Sequence, residues 1–135
     1  MPPFIAALSQ LLGRLLLSAI FIQAGLGKLS NPASTMAYIG SAGIPNPEIA
    51  YYITLAVELG GGLLILLGLF TRPAALLLAG FCLVSGAMFH YHPGDIGQMT
   101  NFMKNLAIAG GFLQLFAVGA GMFSVDAMRR RSVLR

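Results

Sequence analysis

Residues 49–70 read IAYYITLAVELGGGLLILLGLF and, after Thr71-Arg72, residues 73–91 read PAALLLAGFCLVSGAMFHY. Each run has the length that a helix needs to cross a hydrocarbon core, about 20 mainly apolar residues. The first contains one charged side chain, Glu58, and the second contains none. The turn between them is so short that the two helices must be antiparallel neighbours, with Pro73 in a first turn where its missing N–H costs nothing. Outward from this pair, residues 4–29 and 102–123 have the same character. The expected fold is therefore an all-α integral membrane four-helix bundle, one domain over residues 1–135, with spans at about 4–29, 49–70, 73–91 and 102–123.

Composition agrees. The chain is 57% hydrophobic and 9% charged, with mean hydropathy +0.82, far more apolar surface than a small water-soluble core hides. Four spans and short connections consume the chain and leave no room for a soluble domain. The single cysteine, Cys82, lies within an apolar run. No internal disulfide and no Cys-x-x-Cys site for zinc, iron–sulfur or dithiol chemistry can form. Any redox role would need a bound cofactor or another subunit. The net charge of +4 comes largely from Arg129, Arg130, Arg131 and Arg135, a tail after the last apolar run where cytoplasmic anchors sit. No basic face with interleaved aromatics exists, so nucleic acid is not an expected partner.

The connector over residues 30–48 holds Asn31-Pro32, Gly43-Ile44-Pro45 and Asn46-Pro47-Glu48. It is expected to be irregular at both ends, with one helical turn around residues 33–39. His92-Pro93-Gly94-Asp95 is a second set of turn formers. The first apolar run lacks a basic leader and carries Arg14 within it, so it is expected to be a retained span and not a signal peptide. With both termini inside, Arg72 and the four tail arginines face the cytoplasm, and Lys28 and Lys104, with Glu48 and Asp95, lie outside. That N-in/C-in arrangement obeys the positive-inside rule. Small residues four apart, as in Ala56/Gly60, Ala107/Gly111 and Ala117/Gly121, suit close helix packing, and Gly60-Gly61-Gly62 would admit a neighbouring backbone or a flat ligand.

The informative residues are polar ones at membrane depth. Arg14 and Glu58 each lie about ten residues into a span from opposite sides, which predicts an intramembrane ion pair that relieves both desolvation penalties. Gln114 falls at the same level and completes the shell. Nearer the outer face come Gln23, Lys28, Tyr51, Tyr52, His90, Lys104 and Asn105. All four spans thus line one possible polar cleft, and the candidate ligand-binding residues are Arg14, Glu58, Gln114, Gln23, Lys28, Tyr52, His90, Lys104 and Asn105. Plainer readings stand beside this. The Arg14–Glu58 pair can be purely architectural, Lys28 and Lys104 can snorkel to the interface, and the tyrosines with Phe89 can form an aromatic belt. His90, His92 and Asp95 are too sparse for a metal centre, and a bis-histidine haem lacks a second histidine on a facing helix, so no metal is expected.

The markers Arg14, Gly25-x-x-Lys28, Gly43-Ile44-Pro45, Glu58-Leu59-Gly60-Gly61-Gly62, Thr71-Arg72 and Lys104-Asn105, in this order, resemble the DoxX family of small bacterial inner-membrane proteins. The resemblance covers nearly the whole chain. It implies a four-helix protein of the bacterial plasma membrane, an oxidoreductase-associated role and a redox-enzyme partner; it carries over no catalytic residues. The expected function is a redox-associated subunit holding a quinone-like or other small amphipathic ligand, quinone being the one cofactor that suits it. A non-enzymatic scaffold for partner proteins and, behind it, a small-solute transporter are the alternatives. Membrane lipid is an expected partner, and a homo-oligomer is left open.

Overall fold

In the computed structural model, which describes residues 1–133, the chain is all-helical among the described residues. Three helices open on proline, where a missing N–H is harmless: α1 (Pro3–Ser30), α2 (Pro32–Ser41) and α3 (Pro47–Leu67). They are followed by α4 (Thr71–His90), α5 (Ile96–Val118) and α6 (Val125–Val133). The α5 N-terminus is capped by Asp95, whose carboxylate accepts from the Gln98 N–H at 3.0 Å, the usual service of an acidic residue at that position.

Helices α1, α3 and α4 are each long and apolar enough to cross a membrane. They expose large side chains such as Leu16, Ile53, Leu76 and Val84, as a lipid-facing surface requires. The N-terminal half of α5 is more polar, with Gln98, Thr100, Asn101, Lys104 and Asn105, and α5 is not among the helices that meet that standard of length and apolarity. It packs along α4. The core is built at this junction and where α1 meets α3, from Phe21, Ile65, Ala75, Leu78, Cys82 and Phe112. Phe21 and Phe112 meet edge-on with ring centroids 5.4 Å apart.

Helices α1 and α3 run antiparallel at close range because glycine forms the contact face. A Cβ on Gly62 would lie 3.0 Å from Ile22 Cγ1, and one on Gly25 would overlap Leu59. The same approach holds α3 against α4, where a Cβ on Gly61 would lie 3.0 Å from Leu78. Small residues thus substitute for a hydrophobic driving force that lipid does not provide.

Two stretches differ from expectation. The connector is a ten-residue helix, α2, folded against α3. Its Ile39 is buried with Tyr51 and Leu55, so a tertiary apolar contact outweighs the turn-forming prolines and glycines. The fourth apolar run, expected as a span over about 102–123, is instead helical over Ile96–Val118: Gly119 and Gly121, both at positive φ, turn the chain back there, and α6 docks across the end of α3 and the start of α4.

Arg14 makes that docking possible. It is 1% exposed and donates to the carbonyls of Ile65 (3.5 Å), Leu66 (3.4 Å) and Phe123. Gly68, at φ +66°, ends α3; the Ile65 and Leu64 carbonyls accept from the N–H groups of Gly68 and Leu69, and the Leu66 carbonyl turns to Arg14. A cation there completes the hydrogen bonding and meets the negative end of the helix dipole. Gly68 is also required for space, since a Cβ would overlap Arg14 Nη1. On the other side of the junction, Asp126 accepts from the N–H groups of Phe70 and Thr71, both at 2.9 Å, and caps α4.

Arg14→Met is expected to lower stability by about 1.5–3 kcal/mol, the worth of hydrogen bonds to a charged group, read as a fall in detergent melting temperature. Burial pushes the Asp126 carboxyl up, but the N–H groups of Thr71 and Phe70 and the charge of Arg130 outweigh it and hold it below the usual carboxylate value. Its stabilising effect is therefore complete above the unfolded value of about 3.9 and is lost as pH falls through the lower folded value. Melting curves taken down through that window should show an acid-induced loss that Asp126→Asn lacks.

Candidate functional site

The structure does not pair Arg14 with Glu58. Helix α1 has 28 residues, about 40 Å at 1.5 Å per residue, and so outruns a hydrocarbon core of about 30 Å. A residue count from its start does not measure depth. The glycine contacts set the register: Gly25 sits against Glu58 and Leu59, while Arg14 sits against Gly68, ten residues and about 15 Å further along α3. Glu58 meets Lys28 instead, with Nζ 2.9 Å from Oε1. Lys28 is thus engaged in the bundle and is not simply snorkelling.

Three local features hold this pair. The α3 backbone is π-helical over Ala56–Gly60, and Glu58 is the residue at its middle; such one-turn irregularities recur at functional sites. Tyr51, seven residues earlier on the same face, is 2% exposed and its hydroxyl donates to the Lys28 carbonyl at 3.1 Å. Asn31 N–H donates to the same carbonyl at 3.2 Å, so the end of α1 is fixed on both sides. Glu58 is 5% exposed, and its second oxygen, Oε2, is buried with no hydrogen-bond partner.

Lys28 and Glu58 stand in the wall of a cavity of about 270 Å³ enclosed by α1 to α5. Most of the lining is apolar, with Phe21 and Phe81 on one side and Tyr38 and Phe89 on another. Tyr38 and Phe89 stack with ring centroids 5.2 Å apart. The polar contributors are few. His90 Nδ1 is 2.8 Å from Gln98 Oε1, Asn105 Nδ2 donates to the Asn101 carbonyl at 3.0 Å, and Ser85 Oγ donates to the Phe81 carbonyl at 2.7 Å. Asn105 reaches the cavity because Gly86 lets α5 close on α4; a Cβ there would lie 2.9 Å from Asn105 Cβ.

Of the residues anticipated for a ligand site, Lys28, Glu58, His90 and Asn105 line this cavity. Arg14 is buried at the other end of α3, and Gln23, Tyr52, Lys104 and Gln114 are exposed on outer helix faces, away from the cavity wall. Tyr51 rather than Tyr52 points inward, which the seven-residue spacing to Glu58 already indicates. The contributions of Thr35 and Tyr38 come from α2 and follow from its being a helix. Among the described residues no cluster of side chains suited to a metal ion occurs.

The profile of the DoxX family matches residues 9–91, which contain Arg14, Lys28 and Glu58. Two proteins of Escherichia coli (strain K12) are similar over most of both chains. Inner membrane protein YqjF is 42% identical over 118 residues, 87% of this chain and 89% of that protein. Inner membrane protein YphA is 38% identical over 121 residues, 86% of each. CatD of Bacillus subtilis (strain 168), named as a candidate oxidoreductase, is 38% identical over 69 residues, 51% of this chain and 50% of that protein. No solved structure matches the chain. Family match, near full-length relatives and several membrane-length helices agree: the chain is a multi-pass inner-membrane protein and belongs to the DoxX family.

Proposed function

We propose that this protein is a redox-associated membrane subunit whose helices hold a single-ring, quinone-like amphiphile in the cavity beside Lys28 and Glu58. The observation that carries the reading is an apolar, aromatic-walled cavity with one buried carboxylate in its wall, its second oxygen unpartnered. Small-molecule sites combine apolar walls with a few placed polar groups. The volume, about 270 Å³, is at the small end of such sites, about 300 Å³ and upward, and suits a head group whose tail remains in lipid. The similarity to CatD supports the redox association.

The reading includes the topology. Helix α5 is the fourth span and closes a four-transmembrane-helix bundle that forms one domain, its polar N-terminal half turned partly to the cavity and to the membrane surface. An even number of spans puts both termini on one side. The end bearing Arg72, Arg129, Arg130 and Arg131 is cytoplasmic by the positive-inside rule, so the cavity opens toward the outer leaflet. Lys28 and Glu58 bind and orient the head group; any electron transfer belongs to a partner enzyme, for which this chain supplies the membrane-held ligand.

In lipid nanodiscs, a short-chain benzoquinone and its quinol should bind saturably to the protein. Ala24→Phe, which fills the cavity without touching its charges, should weaken binding more than tenfold and leave the melting temperature nearly unchanged; unaltered binding in that variant would sink the proposal. Stability separates the ion pair from the ligand. Lys28→Met leaves a buried carboxylate alone and should cost about 2 kcal/mol, below the 3–5 kcal/mol of a fully buried pair because Lys28 keeps 30% side-chain exposure. Much of that loss should return in Lys28→Met/Glu58→Met.

A further inference from the structure

We infer that the cavity selects a ring bearing hydroxyl donors, the quinol form, over a quinone that can only accept hydrogen bonds; the inference rests on the ligand site proposed above. It follows from a count of hydrogen-bonding groups around the cavity. Glu58 Oε1 is taken by Lys28, and Oε2 is buried and unpartnered. A carboxylate is an acceptor only. His90 Nδ1 is already paired with Gln98 Oε1 at 2.8 Å. Asn105 uses its Nδ2 on the Asn101 carbonyl, and Ser85 uses its hydroxyl proton on the Phe81 carbonyl. Each of these groups already has a partner within the protein, and Glu58 Oε2 is the buried side-chain atom of the cavity wall that has none.

Lys28, Tyr38 and Thr54 also line the cavity and carry hydrogens to donate, but none of them reaches Glu58 Oε2. Lys28 Nζ has hydrogens beyond the one given to Glu58, and it serves one ligand oxygen. A quinone would satisfy Lys28 and leave Glu58 Oε2 without a partner. A quinol hydroxyl accepts from Lys28 and donates to Glu58 at the same place, which removes the unmet buried acceptor. The carboxylate torsion is soft, so a small rotation presents Oε2 to the cavity. In a water-poor site an unpaired buried polar group is costly, and the two redox forms of one ring therefore differ in affinity although their shapes are nearly the same.

The test is anaerobic calorimetric titration of the full-length protein in nanodiscs with three probes sharing one short tail: the benzoquinol, the benzoquinone and the quinol dimethyl ether. The quinol should bind at least about tenfold more tightly than the other two, the size of one hydrogen bond to an ionised group. Glu58→Gln replaces the free acceptor by an amide that can donate, and the preference should fall toward unity. Equal or tighter binding of the quinone or the dimethyl ether overturns the inference and leaves the pocket standing. A full preference retained in Glu58→Gln overturns it as well. The dimethyl ether comparison decides the matter in the wild-type protein should that variant not fold. Absence of saturable binding by all three probes overturns the ligand site itself, and this inference with it.

Discussion

Hydrocarbon supplies no hydrogen-bond partners, so each charge that this chain takes out of water has to be met within the protein. The carboxylate of Glu58 and the guanidinium of Arg14 are the two severe cases. Each is solved at a different level of the molecule. Glu58 is met by Lys28, 2.9 Å away across the α1–α3 contact, and Arg14 is met by backbone carbonyls where α3 ends and the chain returns. Packing follows from these two solutions. They tie α1 to α3 at two levels, and the glycines between them bring the helices close enough for both to form.

Much of the fold was legible in the sequence. Apolar runs of membrane length identify the long helices α1, α3 and α4. Both charged markers that matter, Lys28 and Glu58, stand out because charge is rare in this chain. Their partnership was not legible. It depends on the register between α1 and α3, set by Gly25 and Gly62 against specific neighbours, and on how far α1 extends beyond the hydrocarbon core. Neither is written in local composition. The π-helical turn at Ala56–Gly60 likewise has no sequence signature, since it is a change of hydrogen-bond pattern within a run that is helical in any case. Helix α2 hid behind proline and glycine, and α6 behind its arginines; both are stabilised by contacts with distant residues.

The site itself was half visible. Side chains at the end of α1, the middle of α3, the end of α4 and the start of α5 converge, as their depth suggests. Five do not: Arg14 lies at the far end of α3, and Gln23, Tyr52, Lys104 and Gln114 are on the wrong faces of helices, since helical phase cannot be judged until the neighbours are known. The cavity also draws on α2, which roofs it. A close-packed bundle of straight helices would have no room there. The π-turn that carries Glu58 and the short helix α2 both contribute to its lining.

The Arg14 arrangement bears on how the protein is made. Its cation emerges within the first helix, and one of its carbonyl partners, Phe123, emerges 109 residues later. Until then the first helix carries a charge that still lacks one of its carbonyl partners. A chain cut short before residue 123 keeps that mismatch permanently. The arginine thus makes the closure of the helices depend on chain made after the fifth of them.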